Sequence, residues 1–174
     1  MHKQYSEETL SRQVTTETAP LQASPALRAW GQLLRGHAAA TRLLGPELQE
    51  HDLTINDYEA LLLLSQADGG RLKRVELAQR LVLTPSGVTR LLEGLESAGL
   101  VERAACPADL RVVYAQLTEL GRERLSAASC GHVGSVRALF EESFTDDELE
   151  TLASLLGRLP GGDALCTESS VLTP

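Results

Sequence analysis

The stretch from Thr84 to Gly99, T-P-S-G-V-T-R-L-L-E-G-L-E-S-A-G, constrains the fold of this chain more than any other. Thr84 is a good N-cap, and Pro85 suits the first helical position, where its missing N–H leaves nothing unsatisfied. Gly99 suits the position just past a helix end. Between these stops Val88, Leu91, Leu92 and Leu95 recur at helical spacing, so the segment predicts a helix with one buried stripe. Ser86, Thr89, Arg90 and Glu93 fall on the opposite face. Two hydroxyls and a guanidinium on one exposed face can hydrogen-bond base edges or phosphates. Gly87 has no side chain to hold the backbone away from a partner.

The neighbouring segments sharpen this reading. V-E-L-A-Q-R-L, Val75 to Leu81, predicts a short preceding helix with Val75, Leu77, Ala78 and Leu81 as its apolar positions. Two short helices joined by Val82-Leu83, the second with a polar outer face, have the form of a helix-turn-helix. Downstream, Leu100–Ala104 and Val112–Leu117 are rich in β-formers, with a turn-like stretch from Cys106 to Arg111 between them. The expected class is therefore mainly α with a small β-hairpin wing, a winged helix-turn-helix. The competing reading of the same spacing is a small α+β domain whose exposed arginines are merely solvated.

These motifs resemble those of the MarR (multiple antibiotic resistance regulator) family of winged-helix transcription factors. The matching pieces are E-L-A-Q-R-L, S-G-V-T-R-L-L-E-G-L-E-S-A-G-L-V-E-R, the D-L-R at Asp109–Arg111, and L-T-E-L-G-R at Leu117–Arg122. The resemblance covers roughly residues 26–160. It implies a homodimer that binds double-stranded DNA. Ser86, Thr89 and Arg90 would sit in the major groove. Arg111 would reach the adjacent minor groove, with Asp109 orienting the wing. Where the family often has D-R-R, this chain has Leu110 in the middle, which weakens one phosphate contact that the resemblance implies and leaves the motif in place. Lys73, Arg74, Thr84, Pro85, Gly87 and Arg103 complete the candidate DNA surface.

A formal net charge of −8 is unusual for a chain that approaches DNA, but its distribution accommodates that role. From Arg71 to Arg90 the basic residues Arg71, Lys73, Arg74, Arg80 and Arg90 face the single acid Glu76. Acids gather instead between Glu141 and Glu150, where T-D-D-E at Thr145–Glu148 is a capping box at a helix start.

The domain layout expected is a polar N-terminal segment over 1–24, a MarR-like domain over 25–160 and a disordered tail over 161–174. Within the domain the winged helix occupies about 54–117, and dimerisation helices about 26–50 and 119–159. Leu27, Trp30, Leu34, His37, Thr41, Leu44 and Leu48 form a heptad-like stripe, and Leu149, Leu152, Leu155, Leu156 and Leu159 form another. A second helix from about Asn56 to Gln66 has Thr54 as cap and Leu53 with Tyr58 as a hydrophobic staple. So much apolar stripe calls for a partner subunit. The first residues contain no signal-like apolar run and the chain no membrane-length one, so a cytoplasmic protein without a membrane partner is expected.

For an effector, the family resemblance implies a small aromatic or phenolic anion between the dimerisation helices and the winged helix. Trp30, His37 and Tyr58 are candidate contacts, with Arg35 as carboxylate partner. Trp30 and His37 also lie on the leucine stripe, where core or interface is the commoner role. Cys106, Cys130 and Cys166 show no zinc-ligand pairing, and with His2, His37, His51 and His132 they predict no metal site and no cofactor. Cys106, near Arg103 and Arg111, offers an alternative redox input at the wing. No nucleophile elbow, P-loop or dinucleotide fingerprint is present, so an enzyme is not expected. A winged helix serving only protein association is the remaining rival, and the polar Ser86, Thr89 and Arg90 face argues against it.

Overall fold

A computed structural model describes residues 24–106 and 109–159, with the side chains of Cys106 and 109–112 outside that description. The expectations for the N-terminal segment, the tail, the tip of the wing and the Asp109, Arg111 and Cys106 side chains therefore lie outside the described residues. The chain divides into two compact units, 1–39 and 40–174. The boundary falls within the first helix, α1 (Pro25–Gln49). On the first unit's part of α1, Leu27, Trp30 and Leu34 are exposed.

In the second unit, Leu44 and Leu48 of α1 are the members of the heptad-like stripe that are buried. The helix then closes in a Schellman turn. Leu53 N–H bonds to the Leu48 carbonyl at 3.0 Å and Asp52 N–H to that of Gln49 at 3.0 Å, with Asp52 at φ 56°. Arg124 holds this turn, donating to the His51 carbonyl at 2.6 Å and to Asp52 Oδ2 at 3.1 Å.

Helix α2 (Ile55–Gln66) starts at the expected cap. Asp57 N–H donates to Thr54 Oγ1, and Thr54 N–H returns a bond to Asp57 Oδ2. Its apolar residues surround it on most sides, and Tyr58, Ala60, Leu61, Leu63 and Leu64 are buried, which makes it the centre of the fold. Around it lie β1 (Arg71–Lys73), α3 (Arg74–Arg80), α4 (Pro85–Ser97), β2 (Val101–Cys106) and β3 (Asp109–Leu117). The strands form one antiparallel sheet of order β1-β3-β2. Helices α5 (Glu119–Glu141) and α6 (Asp146–Leu156) complete the chain. The structure is the expected mainly helical fold with a small antiparallel wing. None of its described helices is long and apolar enough to cross a membrane.

The structure differs from three local expectations and adds one strand. Val75 is 68% exposed, because Leu77, Ala78 and Leu81 define the inward side of α3 and Val75 stands about 200° from Leu77. The hairpin strands run closer to the tip than 104 and 112, since pairing continues from Val101↔Leu117 through Cys106↔Asp109 with an irregularity at Ala105/Cys106. Strand β1 was not anticipated; its three residues pair with Tyr114–Gln116, some forty positions away. The helical span expected to reach 159 ends at Leu156.

Helix α3 also ends in a Schellman turn, with Val82 N–H bonded to Gln79 O and Leu83 N–H to Ala78 O. Val82 occupies the position that favours glycine, at φ 51°, and its side chain is 72% exposed. Relief of the left-handed strain is worth roughly 1–2 kcal/mol, against roughly 0.5–1 kcal/mol for the added freedom of an unfolded glycine. Val82→Gly is therefore expected to gain about 0.5–1 kcal/mol, read as a rise of roughly 1–4 °C in Tm at fixed protein concentration. A fall in Tm would show that the Val82 side chain packs usefully despite its exposure.

Candidate nucleic-acid interface

Helix α4 is built as its sequence prescribes. Thr84 Oγ1 accepts the Gly87 N–H at 3.1 Å, Pro85 occupies the first turn, and Val88, Leu92 and Leu95 are buried. Gly99 at φ 72° closes the helix, with Gly99 N–H on Glu96 O and Leu100 N–H on Leu95 O. Thr84 and Ser86 hydroxyls lie 3.2 Å apart. A Cβ on Gly87 would approach Thr84 Oγ1 to 3.2 Å, so glycine leaves the cap undisturbed. Thr89 Oγ1 donates back to the Pro85 carbonyl at 2.9 Å and is half-buried. Ser86, Arg90 and Glu93 are exposed on the outer face. Among the described residues, Arg90 is in no ion pair or side-chain hydrogen bond, which leaves its guanidinium free for a ligand.

The other basic candidates whose side chains are described are engaged. Arg74 Nη2 donates to Glu96 Oε1 at 3.1 Å, and Arg103 Nε donates to both Glu96 oxygens at 3.0 and 2.8 Å. One carboxylate on α4 thus joins α3 to strand β2. Lys73 Nζ lies 3.3 Å from Glu76, and the Lys73 backbone N–H holds the Glu76 carboxyl below its usual pKa. Arg71 sits 5.1 Å above the Tyr114 ring. The sequence marks Arg71 only as part of a basic stretch and gives no sign of the role of Glu96. Glu96 falls on the margin of an amphipathic helix, where a carboxylate is usually just solvated.

A second feature lies in the same unit, a cavity of about 590 Å³ between α2, α5 and α6. Tyr58 lines it, and so do Glu59, Leu62, His132, Val136, Phe140 and Leu149. The Tyr58 hydroxyl is 3.0 Å from Ser129 Oγ, and the Tyr58 ring meets His132 edge-on at 4.7 Å. His132 is buried and its Nδ1 has no partner among the described residues. Burial lowers its pKa, and the Glu47 charge only partly opposes this. Trp30, Arg35 and His37 are exposed positions of α1 in the first unit. His132, Glu59 and Phe140 escaped sequence reasoning because the cavity joins segments some seventy residues apart.

Comparisons with known proteins place this geometry. The MarR family pattern matches residues 53–113, from the start of α2 into β3. The HTH-type transcriptional repressor YetL of Bacillus subtilis is 34% identical over 107 residues, 62% of this chain and 64% of YetL. The match thus spans less than two thirds of that relative's length. The crystal structure of Sco3205, a MarR family transcriptional regulator from Streptomyces coelicolor in complex with DNA, has 28% identity and a TM-score of 0.69. That match covers 73% of this chain and 80% of Sco3205. AbsC, a MarR family transcriptional regulator from the same organism, superposes with a TM-score of 0.70 and 33% identity over 76% of this chain and 90% of its own. Identity at a third of positions across nine-tenths of a solved regulator makes this chain a member of the MarR family of transcriptional regulators.

Proposed function

We propose that the chain is a DNA-binding repressor that acts as a homodimer and leaves its operator when a small molecule binds. The observation that carries the DNA reading is the outer face of α4, where Ser86 and Arg90, the latter without an ion pair among the described residues, stand exposed on a capped helix. Sco3205 in complex with DNA and the repressor YetL support the same reading. In it α4 enters the major groove, with Thr84, Pro85, Gly87 and Thr89 setting its approach, and the wing carries Arg111 to the minor groove beside Asp109. Lys73, Arg74 and Arg103 supply positive charge near the phosphates.

Dimerisation accounts for the apolar surface left uncovered: Leu27, Trp30 and Leu34 on α1, Leu155 and Leu156 at the end of α6, and Leu159 just beyond it are each at least 37% exposed. A two-fold dimer matches a palindromic operator. The α2–α5–α6 cavity is the proposed effector site. An effector there would favour a separation of the two recognition helices that no longer fits successive major grooves.

The test is a gel-shift titration against the upstream intergenic DNA, with a random duplex as competitor. A specific complex at nanomolar protein is expected, and its absence at any salt would overturn the reading. Arg90→Ala is expected to weaken the specific complex by about 1–3 kcal/mol, roughly 5- to 150-fold, with a smaller loss on random DNA. Equal losses on both duplexes would make Arg90 a phosphate contact instead.

A further inference from the structure

The walls of the α2–α5–α6 cavity are apolar, but its charges do not balance. Glu59 on α2 and His132, Arg137 and Glu141 on α5 are the acidic and basic side chains that line it, Leu149 is what α6 contributes, and Glu47 of α1 adds a further negative charge that acts on His132 from outside the lining. Arg137 Nε lies 3.5 Å from Glu141 Oε1, so those two cancel. Burial lowers the pKa of His132 and so favours its neutral form. That leaves Glu59, partly buried, with no ion pair or side-chain hydrogen bond among the described residues. Burial pushes its carboxyl above the usual value, as expected where water solvates the anion poorly. The rings of Tyr58 and Phe140 line the same space, and aromatic faces attract cations.

We propose that this cavity takes a lipophilic organic cation, an apolar body of drug-like size carrying positive charge, with Glu59 as its counter-ion. The inference rests on reading the cavity as an effector site and departs from the aromatic anion that the family resemblance implies. An anion would meet an uncompensated carboxylate where charges are weakly screened. A neutral guest would bury Glu59 further without a partner and drive it to take up a proton. A cation satisfies both the carboxylate and the apolar walls.

Proton linkage follows from the same pairing. Cation binding favours ionised Glu59 and draws its raised pKa back down, so affinity rises with pH through the Glu59 titration and levels off above it. Protonation of His132 at low pH acts in the same direction by repelling the cation. A residual slope in a Glu59→Gln variant therefore belongs to His132.

Tetraphenylphosphonium and tetraphenylborate, nearly isosteric ions of opposite charge, provide the test by calorimetric titration of the full chain without DNA. The cation is expected to bind about tenfold or more tighter than the anion. Glu59→Gln is expected to abolish that preference without lowering Tm, and Glu150→Gln, on the exposed side of α6, to leave it intact. Equal or reversed affinities, no binding of either ion, or a preference that survives Glu59→Gln would each overturn the proposal. Because no DNA is present, these outcomes stand whatever the operator titration gives. Release of a preformed operator complex by the cation then tests the repressor reading separately.

Discussion

Gly121→Ala is expected to cost roughly 3 kcal/mol or more, at or beyond the upper end for an added methyl in a packed core. Gly121 lies in the first turn of α5, where its N–H is capped by Thr118 Oγ1 at 3.0 Å. A Cβ there would fall well inside contact distance of the Leu100 carbonyl oxygen, and would lie 2.7 Å from Leu117 Cδ1 and 3.1 Å from the Leu100 carbonyl carbon. None of these neighbours can yield cheaply. The Leu100 carbonyl accepts the Thr118 N–H at 3.1 Å, the Thr118 hydroxyl donates to Gly99 O at 2.7 Å, and Leu100 and Leu117 are each 2% exposed. The methyl must therefore displace either the end of α4 or the start of α5. Thermal unfolding at fixed protein concentration is expected to show a fall of about 10 °C. A fall of 1–2 °C would mean that the start of α5 shifts freely over Leu100, and the packing of that crossing would need revision.

That junction also shows where sequence stops being legible. The stop at Gly99 was readable because a left-handed residue after an amphipathic helix is a local signal. The crossing of α5 over Leu100 was not, since it depends on Gly121 meeting a backbone carbonyl 21 positions earlier. The caps at Thr54, Thr84 and Thr145 are likewise local and stand as the sequence implies. Strand β1 is three residues whose partner is distant, and nothing in R-L-K marks it. Val75 misled because a seven-residue helix contains too few turns to define its inward side from composition alone. The same logic divides the two candidate sites. The outer face of α4 comes from one periodic segment and was visible at once. The cavity needs Tyr58, Glu59, His132 and Phe140 together, and Glu59 reads in sequence as one more solvated acid.

Glu96→Gln is expected to cost DNA specificity more than DNA affinity, on the proposed operator-binding reading. The Glu96 side chain is 20% exposed and carries two arginines from different elements, Arg74 of α3 and Arg103 of β2. Arg103 is itself 56% exposed, so each pair is only partly shielded and the loss of stability is expected to stay near 1 kcal/mol. The larger consequence is geometric. The neutral amide has one acceptor oxygen in place of two charged ones, so it cannot hold both arginines, the brace between wing strand and recognition helix weakens, and contacts that depend on both reaching their grooves together lose part of their roughly 1–3 kcal/mol each. The freed arginines have the opposite effect on unspecific binding, since each added phosphate contact steepens the salt dependence of log K by about 0.9. The ratio of operator to random-duplex affinity should fall by about tenfold or more, while random-duplex binding strengthens at low salt. Titrating both duplexes across a salt series separates the two effects. An unchanged ratio accompanied by a drop in Tm would reduce Glu96 to a structural brace. A falling ratio with a steeper salt slope would mean that this carboxylate holds two cations back from indiscriminate phosphate contact and fixes the angle between helix and wing.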